Sequence, residues 1–135
     1  MKYMLDTDIA IHVIRNRPAT VFERLRSLSP RAVCISSITL AELAYGASKS
    51  SAPARNKAAL TLFLAEIMVM SFDEQAAGEY GDIRADLERK GMPIGPNDLL
   101  IAAHARALGS TLVTNNVREF SRVERLMIED WLHGP

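Results

Sequence analysis

The chain has 135 residues, 48% apolar and 24% charged, with sixteen basic and sixteen acidic side chains cancelling to a formal net charge of zero. That length is enough for one self-sufficient core, and the composition excludes a disordered chain. The charge balance excludes a protein that coats nucleic acid through a general basic surplus, and the single cysteine, Cys34, excludes an internal disulfide framework and a cysteine-based zinc site.

In chain order, Lys2 to Leu5 read as a short strand that runs straight into Asp6 and Asp8. From Ile9 to Arg15, the residues Ile9, Ala10, Val13 and Ile14 fall at helical spacing until Pro18 breaks the segment. Ala19 to Leu28 gives a second helix, with Val21, Leu25 and Leu28 on one stripe. The run AVCI is a strand, and Ser36 and Ser37 after it are helix-capping candidates. ITLAELAYGASKS is helical by composition, with Gly46 as a weak point. Pro53 to Glu66 forms a further helix and IMVMSF a third strand, where Met68 and Met70 read as core filling.

A helix from about Asp73 to Lys90 ends in the loop KGMPIGP. NDLLIAAHARAL is apolar on nearly every side, which predicts a helix packed deep between other elements. TLVT is a fourth strand, REFSRVERL is helical or irregular, and MIEDW is a last short strand. This alternation predicts one α/β domain over residues 1–135, a parallel sheet with helices on both faces. No apolar run approaches the roughly 20 residues of a membrane helix. The first residues also lack the basic, apolar and small-residue regions of a signal peptide. A soluble, cytoplasmic protein is the expectation.

Ligands of an open parallel sheet bind beyond the carboxyl ends of its strands. Asp6 sits at that end of the first strand, Glu42 in the helix after the second, and Asp98 at the start of the helix after PIGP. Asn115 and Asn116 follow TLVT, with Glu119 one turn on. Acids gathered at one rim repel unless a cation sits among them, and hard divalent ions such as Mg2+ or Mn2+ take oxygen ligands. A structural reading competes for each acid: the helix dipole favours Asp8, Asp98 and Glu42 in first turns without any chemistry. Asp6 is least explained that way, since a strand-end carboxylate before an apolar helix gains little. The hydroxyls of Thr7, Ser37 and Thr114 lie beside the proposed rim, where they can orient ligands or simply cap.

The segments MLDTDI, ISSITLAELAYGA and GMPIGPNDLLIAAHARALGSTLVTNNVREF, in that order and through to the WLHGP tail, resemble the successive motifs of PIN-domain ribonucleases, and of VapC-type toxins in particular. The resemblance implies a PIN-like three-layer α/β/α fold with a mainly parallel sheet of four to five strands. It implies a Mg2+- or Mn2+-dependent endoribonuclease that acts by metal-assisted hydrolysis, with no side-chain nucleophile. As partners it implies an RNA substrate, with transfer RNA a frequent target, a cognate VapB-type antitoxin and a homodimer. Residue by residue, it assigns Asp6, Glu42 and Asp98 as the acidic metal site. The place of the family's fourth acid carries Asn116, with Glu119 as the alternative.

Two rival readings stand beside this one. Asp6-Thr7-Asp8 after a strand is similar to the nucleophile motif of haloacid-dehalogenase-like phosphatases, although Ala10 departs from it and the chain is short for that fold plus a cap. A degenerate PIN-like binding module is the second, and retention of Asp6, Glu42 and Asp98 argues against it. Among other residues, Asp8 and His12 share a helix face but lack a third zinc ligand nearby. His104 reads as a packed helix residue rather than a general base, and Cys34 as a small core residue. Arg15, Arg17, Lys49, Arg84, Arg89 and Lys90 are candidates for an RNA-contacting rim, whereas Tyr45, Phe72, Tyr80 and Phe120 are too scattered for a base-stacking platform.

Overall fold

The computed structural model describes residues 1–16 and 18–133. Its strands are β1 (Tyr3–Leu5), β2 (Val33–Ser36), β3 (Met68–Met70), β4 (Thr111–Val113) and β5 (Ile128–Glu129). Its helices are α1 (Thr7–Ile14), α2 (Ala19–Arg26), α3 (Ser37–Lys49), α4 (Pro53–Leu64), α5 (Glu74–Arg89), α6 (Pro96–Leu108) and the single turn α7 (Val117–Phe120). All strand pairs are parallel, in the order β3-β2-β1-β4-β5.

The period of two along each strand distributes side chains to opposite faces. Tyr3, Leu5, Val33, Ile35 and Val113 join Ile9 and Val13 of α1, Val21 of α2, Leu43 of α3 and Leu60 of α4. Met4, Cys34 and Leu112 face the other way, onto Ile83 and Leu87 of α5, Leu99 and Ile101 of α6, and Phe120 of α7. Two apolar layers therefore sandwich the sheet, as the alternating sequence predicts. The tail folds back onto the first layer, where Trp131 is 2% exposed and meets Tyr3 edge-on at 5.4 Å.

Three local expectations change. Met68 and Val69 are 46% and 37% exposed, because β3 is the edge strand and only Met70 reaches the second layer; Met68 is not core filling. Gly46 does not interrupt α3, which runs through it unbroken. Of the segment 118–126, only the start is helical, within α7. Elsewhere the local chemistry holds: α6 opens on Pro96 and closes on Gly109, whose φ of 67° is the left-handed conformation that ends helices. Among the described residues no helix is long and apolar enough to cross a membrane.

The chain builds outward from β1 through β2 to β3, then returns to place β4 on the other side of β1. That reversal puts the topological switch beside the carboxyl ends of β1 and β4, where Asp6 and Thr114 emerge.

Candidate active site

Asp6 is anchored on three sides. Its N–H donates to the Val113 carbonyl at 2.9 Å, tying it to the end of β4. Its Oδ1 accepts the Ile9 N–H at 3.1 Å as the N-cap of α1, and its Oδ2 accepts the Thr114 hydroxyl at 2.5 Å. The expectation that this carboxylate gains little structurally is thereby corrected, since it caps α1 and accepts the Thr114 hydroxyl. Burial pushes its carboxyl up to about 6, against the opposing pull of the Thr114 and Ile9 bonds.

Glu42 lies on α3, facing the start of α1. The Thr7 hydroxyl donates to its Oε1 at 2.5 Å, and the Asn97 amide donates to its Oε2 at 3.2 Å. The Thr39 hydroxyl stands 3.2 Å from that of Thr7. Asp98 follows Asn97 in the first turn of α6 and hydrogen-bonds Glu119. Glu119 Oε1 accepts the Gly95 N–H at 2.8 Å, and its Oε2 accepts the Asn116 amide at 2.7 Å. The Asn116 N–H returns to the Thr114 hydroxyl oxygen at 2.9 Å.

These bonds close a circuit. It runs from Asp6 and its neighbour Thr7 to Glu42, then Asn97 and its neighbour Asp98, then Glu119, Asn116, Thr114 and back to Asp6. Gly95 lies against the circuit, its Cα hydrogen side facing Asp98 Oδ2 and Glu119 Oε1 at ordinary van der Waals range. The acids also feel one another. Burial first, then Glu119, then Asp6 and Glu42, raise the Asp98 carboxyl to about 7. Burial acts on Glu119 in the same direction, but the Gly95, Asn116 and Asp98 hydrogen bonds outweigh it and hold Glu119 low. The pair therefore keeps its proton on Asp98, since Glu119 has the better-supplied carboxylate.

None of the salt bridges among the described residues involves Asp6, Glu42, Asp98 or Glu119. Nor do any three of the described acidic, histidine or cysteine side chains stand close enough to clasp one ion directly. The acids instead rest on hydroxyl and amide partners.

The structure thus brings together Asp6, Glu42, Asp98 and Glu119, with Asn116 as a donor to Glu119. Sequence reasoning missed Gly95 and Asn97, although both stand in the GPND stretch beside Asp98. Thr7 and Thr114 hold acids, whereas the Ser37 hydroxyl accepts the Phe72 N–H at 3.1 Å. Asp8 and Asn115 are exposed. His133 pairs with Asp130 at 2.7 Å in the tail. Of the basic candidates, Arg84 is bound to Glu88 and Tyr80, while Arg89 and Lys90 are bound to Asp86. Lys49 lies 4.9 Å over the Tyr45 ring, and Arg17 lies outside the described residues.

The PIN domain family matches residues 3–126. The tRNA(fMet)-specific endonuclease VapC of Shigella flexneri is 52% identical over 131 residues, covering 97% of this chain and 98% of that protein. The ribonuclease VapC of Haemophilus influenzae is 46% identical over 132 residues, covering 98% and 99%. Among solved structures, DNA-bound VapBC from Salmonella typhimurium superposes with a TM-score of 0.92 at 50% identity, covering 97% of this chain and 98% of the other. VapBC2 from Rickettsia felis, bound to a promoter DNA fragment, gives 0.91 at 44% identity, covering 97% and 99%. With the acids assembled at the switch point of a five-stranded parallel sheet, and with relatives of this identity along nearly the whole length, this chain belongs to the PIN-domain family as a VapC-type member.

Proposed function

We propose that this chain is a Mg2+- or Mn2+-dependent endoribonuclease toxin that hydrolyses RNA phosphodiester bonds and is neutralised by a VapB-type antitoxin. The carrying observation is the convergence of Asp6, Glu42, Asp98 and Glu119 on one rim, none of them held in a salt bridge among the described residues. The ribonuclease names of the relatives and the VapBC complexes of the structural neighbours support the activity and the partner. The Shigella relative's name favours transfer RNA as the substrate class.

The donor set fits a hard divalent cation. Its oxygens are carboxylates, and Asp98 gives up its proton only reluctantly because burial and the nearby Glu119, Asp6 and Glu42 oppose its charge. Mg2+ commonly keeps several waters and touches only one or two carboxylates directly, which suits acids too far apart to clasp a bare ion. When bound, such an ion supplies a hydroxide-like nucleophile at neutral pH and relief of charge on phosphate oxygens. The residues do the rest. Asp6, Glu42 and Asp98 offer the ligand oxygens, and Glu119 takes the fourth position in preference to Asn116, whose amide orients it. Thr7, Asn97 and Thr114 fix the carboxylates so that little reorganisation is needed. The phosphatase reading is set aside by the family membership.

The test is to incubate the purified wild-type chain and Asp98→Asn with total RNA and with transfer RNA, in Mg2+, Mn2+ or EDTA, and to map new 5′ ends. Discrete cleavage by the wild type alone, and only with the cation, is expected. RNA left intact in every arm, or cut equally in EDTA, refutes the proposal.

A further inference from the structure

The buried histidine lies outside the acidic circuit yet joins two of the helices that form it. His104 is 1% exposed on α6, the helix that begins beside Asp98. Its Nδ1 stands 2.8 Å from Ser36 Oγ. Ser36 is the last residue of β2 and the N-cap of α3, accepting the Ile38 N–H at 3.0 Å. With that bond occupying Ser36 Oγ as an acceptor, its one hydrogen is available to Nδ1. Phe72 closes the pocket edge-on to the imidazole at 5.5 Å.

An apolar side chain would fill this space without needing an aligned partner, and buried polar groups are costly unless satisfied. One ring nitrogen is engaged at the cap of the helix that carries Glu42. A further link between α6 and that helix, Asn97 to Glu42, lies at the exposed rim. A helix transmits movement of its first turn along its length, so a shift at Ser36 is carried to Glu42.

We infer that His104 is a positioning residue for the acidic site: through Ser36 it sets α3 against α6, and hence Glu42 against Asp98. The inference deepens the proposed function and rests on its metal site. The test measures Mn2+ uptake by electron paramagnetic resonance and the Mn2+ dependence of RNA cleavage, with fold monitored by circular dichroism and thermal unfolding. Folded His104→Leu should bind Mn2+ roughly tenfold more weakly, the lower end for loss of a ligand-orienting partner. Its cleavage rate should recover at saturating Mn2+. His104→Asn, which keeps an acceptor near the Nδ1 position, should regain most of the affinity. Ser36→Ala, which also removes the α3 cap, should show at least as large a loss, and the double variant should be no weaker than Ser36→Ala, because the His104 part of the effect runs through the Ser36 hydroxyl.

Wild-type affinity in folded His104→Leu, or in folded Ser36→Ala should the leucine variant not fold, overturns the role of His104. A wild-type chain that takes up no Mn2+ in an Asp98-dependent way overturns the metal site itself, and this inference with it.

Discussion

Asp6 is the place where stability and function oppose each other most directly, and Asp6→Asn separates them. The wild-type carboxyl is 5% exposed and is raised from 3.8 to about 6, chiefly by burial. Because the folded value lies above the unfolded one, the native state holds the extra proton between those values. Stability from this group is therefore complete below about 3.8 and is lost as pH rises through about 6. At about 1.4 kcal/mol per pH unit, the ionised carboxylate opposes folding by roughly 3 kcal/mol above pH 7. Asparagine removes the charge but caps a helix as well as aspartate does, and its oxygen can still accept from Ile9 or Thr114. Urea unfolding in EDTA should find Asp6→Asn more stable by about 2–3 kcal/mol at pH 7.5, with the gain vanishing near pH 4. Added Mn2+ should stabilise the wild type and not the variant, reversing the order as the ion saturates. Asp6→Ala should gain less than the asparagine variant, because it also loses a cap worth about 1 kcal/mol and strands the Thr114 hydroxyl. A variant no more stable than wild type at pH 7.5, or equally favoured at pH 4, refutes this reasoning.

Three further outcomes follow from the same geometry. Glu119→Gln should impair Mn2+-dependent cleavage more than Asn116→Ala, which leaves the Gly95 bond to Glu119 in place; the reverse order in a metal titration would return the fourth position to Asn116. Cys34 is fully buried in β2 and its thiol is pushed up to about 11 by burial, so a thiol-reactive disulfide reagent should modify it only on unfolding. Labelling of the native chain at the rate of a free thiol would contradict that placement. Trp131→Ala should cost about 3–5 kcal/mol, the range for deleting a buried aromatic side chain, because the ring packs on Tyr3 with Arg24 stacked 5.6 Å away. A thermal midpoint close to wild type would show the tail to be dispensable.

Much of this molecule is written in local pattern. The helical spacing of Ile9, Ala10 and Val13, the Pro96 start and Gly109 stop of α6, and the alternation of strand and helix depend on neighbours within a few turns. Hence they are legible from the chain alone, as is the placement of Asp6 just past a strand and of Asp98 at a helix start; Glu42, read from the chain as a first-turn acid, lies in the second turn of α3. What sequence could not decide was which strand is the edge, and so Met68 passed for core. It also could not show that the Asp6 carboxylate is a helix cap, that Glu119 rather than Asn116 meets Asp98, or that His104 reaches Ser36. Each of these depends on contacts between residues far apart in the chain, and their spacing along it carries no trace of distance in space. Local chemistry chose the elements and supplied the acids; only the packing of α3, α6 and α7 around the switch point determined which acids share a proton and which side chains hold them there.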